Sequence, residues 1–259
     1  MPRHSPIFVS HGAPTLVLED HAARRFLMEL GHLIPRPEAI LAVSAHWETR
    51  TPTVSLAERP ETIHDFHGFP AELYRIRYPA PGASAAARRA AQLLAEAGLD
   101  PETDPTRGLD HGAWAPLALA YPEADIPVAQ LSIQPSRDPR HHMAVGRALA
   151  PLGDEGVLVL ASGGAVHNLR QFAVDRSRPA PWATAFDDWL ADRLDSGATE
   201  DLAAYAERPE GRLAHPSADH ILPLFVALGA GGKGARGRAL HRGFAHGSLG
   251  MAAYVFEPA

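Results

Sequence analysis

Apolar residues in this chain gather into short runs, and the stretches between runs repeat their apolar positions at helical spacing. Ile7-Phe8-Val9, Ile40-Leu41-Ala42-Val43 and Val157-Leu158-Val159-Leu160 are unbroken runs of strand length, and 127–133 is nearly so. A strand with no polar alternation is covered on both faces. Between the runs the spacing predicts helices over 21–30, 83–97, 139–152, 183–195, 201–206 and 216–228. Asp20 and Asp138 are placed as N-caps, Pro139 and Pro216 as first helical residues, and Gly98 and Gly229 as stops. Shorter strands are expected at 53–56, 74–78 and 248–256. Loops are expected at 65–70 and 108–114, and the Gly-rich 229–237 reads as a surface loop. Strands alternating with helices predict an α/β fold, with a mostly parallel sheet flanked by helices. No linker or repeat divides the pattern, so residues 1–259 read as one domain.

Charge and composition narrow the function classes. The formal net charge is -6 and no basic stripe is present, which argues against nucleic acid as the partner. No apolar stretch reaches the roughly 18 residues of a membrane span. The first residues run straight into a strand without a secretory leader, so a cytoplasmic location is expected. The chain contains no cysteine, which excludes disulfides, thiolate metal sites, iron–sulfur clusters and cysteine nucleophiles. A metal would have to be held by His, Asp, Glu or water. The 15 histidines are a generous supply.

Four of these histidines sit at or near the ends of apolar runs. His11 follows the first run, His46 the second, and His167 follows the fourth after a Gly163-Gly164 turn; His220 precedes Ile221-Leu222. In open α/β sheets the strand ends share one rim, where ligand sites form. Neutral imidazole is the commonest protein metal ligand, so convergence on that rim would make a metal site. Plainer readings stand beside these: a turn histidine bonded to backbone for His11, an incidental residue in a helix-starting turn capped by Asn168 for His167, and surface histidines near a helix end for His215 and His220, while core packing is the plainer reading for His46. Core packing explains His46 poorly, because burying an imidazole without a partner is costly. His167, on a strand-to-helix turn, is placed for general acid–base work. His215 precedes Pro216 and reaches toward the same region. Two loops, 63–70 and 108–114, combine an acid, an imidazole and aromatic rings, and each suits a substrate pocket or a packed loop. His141, His142, His241 and His246 read as surface residues. No nucleophile-elbow serine, paired-histidine protease helix or dinucleotide glycine motif occurs.

Taken together, Ser10-His11-Gly12-Ala13-Pro14, Ser44-Ala45-His46-Trp47, Gly108 to Trp114, Val166-His167-Asn168-Leu169 and His215-Pro216-Ser217-Ala218-Asp219-His220 resemble the DODA-type extradiol dioxygenases. These are the 4,5-DOPA dioxygenase-like members of the class III extradiol superfamily. The resemblance spans almost the whole chain in the same order. It implies one mononuclear metal site, with His11, His46 and His220 as ligands and His167 as acid–base catalyst. It implies His111 and His215 as contacts to substrate or oxygen. The partners it implies are a small aromatic diol and O₂. The wider class holds Fe(II) with two histidines and a carboxylate. Three histidines also suit zinc, and zinc is often associated with this branch. The expected activity is extradiol cleavage of a catechol. Two rivals are a zinc hydrolase of small amides or esters and a binding module that keeps only the fold.

Overall fold

The computed structural model describes residues 3–171 and 178–258. In chain order these form β1 (Ile7–Ser10), α1 (Ala22–Leu33), β2 (Ala39–Glu48), β3 (Thr53–Ser55), α2 (Ser84–Glu96) and β4 (Glu102–Asp104). Next come α3 (His111–Ala120), β5 (Val128–Ile133), α4 (Pro139–Leu149), β6 (Val157–Gly163) and α5 (Pro181–Ser196). The chain ends with α6 (Thr199–Ala203), α7 (Pro209–Ala214), α8 (Leu222–Ala230), β7 (Arg236–His241), β8 (Phe244–Ala245), β9 (Leu249–Gly250) and β10 (Ala253–Glu257). Eight strands form one mixed sheet in the order β4-β3-β5-β2-β6-β1-β10-β7, and β8 pairs with β9 separately. The centre, β5-β2-β6-β1, is parallel, while β3 and β10 run against their central neighbours. Among the described residues no helix is long and apolar enough to cross a membrane.

The unbroken apolar runs do what their composition requires. Along β2, Leu41 and Val43 face a core shared with α2, α4, α5 and α8, while Ile40 and Ala42 face a second core shared with α1 and α3. A strand covered on both faces has no polar alternation to lose. Strand order then places the functional residues. Strand β6 lies between β1 and β2, pairing Ser10 with Gly163 on one side and Ser44 with Ser162 on the other. Residues just past these positions emerge together from the carboxyl ends of three parallel strands, the usual place for a ligand crevice.

The structure corrects several expectations. The stretch 108–114 is not all loop: His111 begins α3, and the buried Asp110 caps it by accepting from the backbone N–H of Ala113. Gly112 and the internal Pro116 hid this helix, since both are poor helix residues. Residues 216–221 form turns, and α8 starts at Leu222, so His220 lies ahead of the helix. The cap of α1 is His21, not Asp20; its ring accepts from the N–H of Ala23. Tyr74 belongs to a 3-10 turn rather than a strand. The 229–237 segment is the end of α8, a turn with Gly232 and Gly234 at positive φ, and the start of β7. β4, β7 and α7 had no clear pattern, because their residues are short, exposed or polar.

His142 is a further correction. It is fully buried on α4, not on the surface. Its Nε2 accepts the N–H of Gln134 at 3.1 Å, and its Nδ1 donates to the carbonyl of Asp138 at 2.9 Å. Burial pushes this imidazole down to about 4 from the ordinary 6.5. The unfolded chain therefore takes up a proton before the folded one as pH falls. Stability should drop below pH 6.5 and level off near pH 4, with His142 contributing up to about 1.4 kcal/mol per pH unit. Urea unfolding of the metal-free protein across this range checks it. His142→Gln should flatten the slope by roughly one proton; an unchanged slope would show that His142 is charged in the fold.

Candidate metal centre

Three imidazoles meet at the rim. His11, one residue past β1, and His46, near the end of β2, bring their Nε2 atoms to 3.0 Å. Two nitrogens ligating one ion tetrahedrally at about 2.0–2.1 Å stand roughly 3.3 Å apart, so this separation fits a shared ion. His111, at the start of α3, completes a group whose ligand atoms all lie within 4.8 Å of one another. Its ring is 4.0 Å from that of His46 and 5.3 Å from that of His11. His220 stands on the other side, its ring 5.0 Å from His46 and 5.3 Å from His11. His167 stacks flat on His220 at 3.5 Å, and these two with Asp219 make a second compact group.

The placement of His220 depends on a glycine. Its carbonyl accepts the N–H of Gly164 at 2.8 Å, docking residues 215–220 against the end of β6. A Cβ at Gly163 would lie 2.1 Å from that carbonyl oxygen, so any other residue there would push the segment away. His167 is tied to the same segment through its N–H to the carbonyl of Ala214 at 3.0 Å.

Most of these rings are fixed from behind. His11 Nδ1 meets Ser162 Oγ at 2.9 Å, His111 Nδ1 donates to Asp65 at 2.9 Å, and His220 Nδ1 bonds to Asp219. Such partners set the tautomer of a metal-binding histidine and leave the other nitrogen bare. Burial alone would raise the carboxyls of Asp65 and Asp219. Hydrogen bonds and charge from His111 and His220 outweigh it and hold both below the usual carboxylate range. Burial, then the neighbouring histidines, drives His11 and His46 well below 6.5. Burial, then His220 and His215, brings His167 down to about 3. These imidazoles are therefore neutral at pH 7 and present lone pairs.

A buried polar hub supports the group. Asp110 accepts from Ser44 Oγ at 2.6 Å, from Arg107 at 2.8 Å and from the side chain of Gln130 at 2.8 Å. Ser44 in turn receives the N–H of His46, and Arg107 lies over the Trp47 ring. Gly112 is needed here, because a Cβ there would meet Ser44 Oγ at 2.4 Å. The hub links β2 to α3, and so His46 to His111.

In front of the imidazoles is a cavity of about 460 Å³. Its walls are mostly apolar, with Pro14, Phe66, Phe69, Leu169 and Leu249 around His11, His46, His111, His167 and His220. That volume accommodates a single substituted ring, and the lining favours its flat apolar faces. His215 is not brought into this lining. It is buried behind it, bonded through Nε2 to the carbonyl of Ala165 and packed on Phe186 and Tyr205. His246 does line the cavity, against the surface reading, from the turn between β8 and β9. Asp65, not among the expected site residues, reaches the site from the 63–70 loop, whose acid–imidazole–aromatic mixture is its signal in the sequence.

Comparison with known proteins points to one family. The family model described as the catalytic LigB subunit of aromatic ring-opening dioxygenase matches residues 5–257. A "4,5-DOPA dioxygenase extradiol" of Portulaca grandiflora is 47% identical over 255 residues, 96% of this chain and 94% of that protein. One of the same name from Mirabilis jalapa is 44% identical over 97% of this chain and 96% of its own. The Escherichia coli (strain K12) protein of that name is 46% identical over 88% and 85%. A crystal structure of an uncharacterised Escherichia coli K12 protein superposes with a TM-score of 0.84 at 39% identity, covering 98% of this chain and 100% of that one.

The hub gives a direct test. Asp110→Ala removes a helix cap and strands Gln130, Ser44 and Arg107. The expected loss of unfolding free energy is about 2–4 kcal/mol, from a cap worth ~1 and unmet buried partners worth ~1–3. Urea denaturation measures it. A loss under about 0.5 kcal/mol would show that the hub does not hold the site together.

Proposed function

The chain belongs to the aromatic ring-opening dioxygenase family of the catalytic LigB subunit, and we propose that the catechol it opens is DOPA-like. It is an extradiol dioxygenase: the ring bond beside the diol breaks, and both atoms of O₂ enter the product. A catechol and O₂ together balance a ring-opened semialdehyde acid, so no outside reductant is required. The observation that carries the substrate reading is the apolar cavity set directly on the imidazole cluster. The zinc hydrolase reading is not favoured, because the family and the curated relatives are oxygenases.

The donor set suits a divalent metal: neutral imidazoles, a pair of Nε2 atoms at ligand–ligand spacing, and carboxylates behind the rings. We assign His11, His46 and His220 as the ligands. The motif resemblance carries the third; a carboxylate stands behind His220 as one does behind His111, so that arrangement suits either ring as a ligand. His111, in the compact group with His11 and His46, is the geometric competitor. We take the working metal as Fe(II), because it can exchange electrons between a catechol and O₂ when bound, whereas zinc has no second accessible oxidation state.

The remaining roles fall to this chain's own groups. His167 is neutral and faces the cavity, so it can take a proton from a catechol hydroxyl and return one to the product. His111 lines the cavity and accepts a hydrogen bond from a diol hydroxyl. Phe66 and Phe69 hold the ring face and exclude water. His215 acts from behind, as a packing residue that keeps its segment against Ala165.

Protein reconstituted anaerobically with Fe(II) should turn L-DOPA yellow and consume one O₂ per ring opened, while zinc-loaded protein should not. No oxygen uptake across a panel of catechols would contradict the substrate and metal assignments. His167→Asn should lower kcat by about 10²- to 10⁴-fold while keeping the metal. Metal content after dialysis separates the third-ligand candidates. His220→Ala should lose bound metal and His111→Ala should keep it; the reverse would move the ligand role to His111.

A further inference from the structure

Asp65 lies outside the histidine set yet touches two of its members. Its Oδ1 accepts the backbone N–H of His111 at 2.9 Å, and its Oδ2 faces Nδ1 of the same ring at 2.9 Å. The same Oδ2 stands 3.5 Å from Nδ1 of His46. An ionised carboxylate only accepts, so the ring nitrogen it bonds must carry a proton. His111 then holds a proton on Nδ1, and in the neutral ring Nε2 is the bare nitrogen. The neighbouring Phe66 meets the His111 ring edge-on at 5.7 Å and also lines the cavity. One loop therefore fixes an imidazole and builds the wall beside it.

We propose that Asp65 is a positioning residue for ring opening: it locks His111 in the Nδ1–H tautomer, so that a bare Nε2 accepts the hydrogen bond of a catechol hydroxyl. The same carboxylate steadies His46 from behind. This rests on the ring-cleavage reading above. An asparagine of equal shape could not replace Asp65. It offers one acceptor oxygen where two are used, and its amide N–H would face either the backbone N–H or the ring N–H of His111.

The test reads the tautomer without turnover. In zinc-loaded protein with ¹⁵N-labelled histidine, the His111 signal is identified by its disappearance in His111→Gln. It should be that of an Nδ1–H ring with an unprotonated Nε2. Asp65→Asn should move it toward the Nε2–H form and keep one metal per chain. In the Fe(II) enzyme the same change should lower kcat on L-DOPA about 10- to 100-fold, with KM changed less than about threefold. A wild-type His111 protonated on Nε2 overturns the proposal, and so does an Asp65→Asn protein with unaltered tautomer and rate. Should Asp65→Asn fail to fold, the wild-type spectrum decides alone. If the wild type opens no catechol, the ring-cleavage reading falls, and the tautomer result still decides whether Asp65 fixes His111.

Discussion

The register of three neighbouring parallel strands is the constraint on which the site depends. β6 lies between β1 and β2, with Ser10 opposite Gly163 and Ser44 opposite Ser162. That alignment brings His11 and His46 out beside each other, although 34 residues of chain separate them. A slip of one residue in either pairing would turn the run's side chains to the opposite face. It would also carry one imidazole away from the other. The close fit of the particular side chains packed on each face of β2 and β6 is what resists such a slip. Core packing and metal-site geometry are thus the same restraint seen at two ends of the strands.

From that row outward, the site is built by close backbone approach and by carboxylates placed behind the rings. Gly163 lets the His220 carbonyl reach the end of β6, and Gly112 lets α3 come against Ser44. Asp65 and Asp219 stand behind His111 and His220, while the cavity side is apolar. The arrangement keeps negative charge away from the space where an aromatic ring would lie. Burial keeps the imidazoles neutral. A metal at the proposed ligands His11 and His46 would displace no protons from them, and His167, the proposed proton acceptor, is neutral as well. The apolar lining also strengthens each hydrogen bond made inside the cavity.

Much of this was legible in the sequence, for physical reasons. Unbroken apolar runs marked the central strands because those strands are covered on both faces. Polar histidines directly after such runs marked the rim because an unpartnered imidazole is costly there. The elements that escaped notice were those whose local pattern conflicts with their final state. α3 carries a glycine and a proline inside a helix, and tertiary packing on β2 overrides their low propensity. Residues 216–221 begin with a proline and look like a helix start, but the docking of His220 on Gly164 holds them as turns. Asp65 and His246 reach the site through loops, and no periodicity reveals where a loop points. His142 looked exposed because a histidine pair on an amphipathic helix reads as polar face. His215 illustrates the opposite: its neighbourhood in sequence with His220 suggested a place in the cavity, yet the turn at Pro216 buries it behind.

Strand register sets His11 and His46 side by side and the docked 215–220 turn adds His220, so X-ray absorption at the zinc edge reads whether one metal ion binds three imidazoles. Zinc-loaded protein should show one metal per chain with three imidazole nitrogens at about 2.0–2.1 Å and a light oxygen ligand in the remaining position. His11→Ala and His46→Ala should each abolish that signature. A zinc shell with fewer than three imidazoles, or one left intact after either substitution, would show that these histidines do not share one ion.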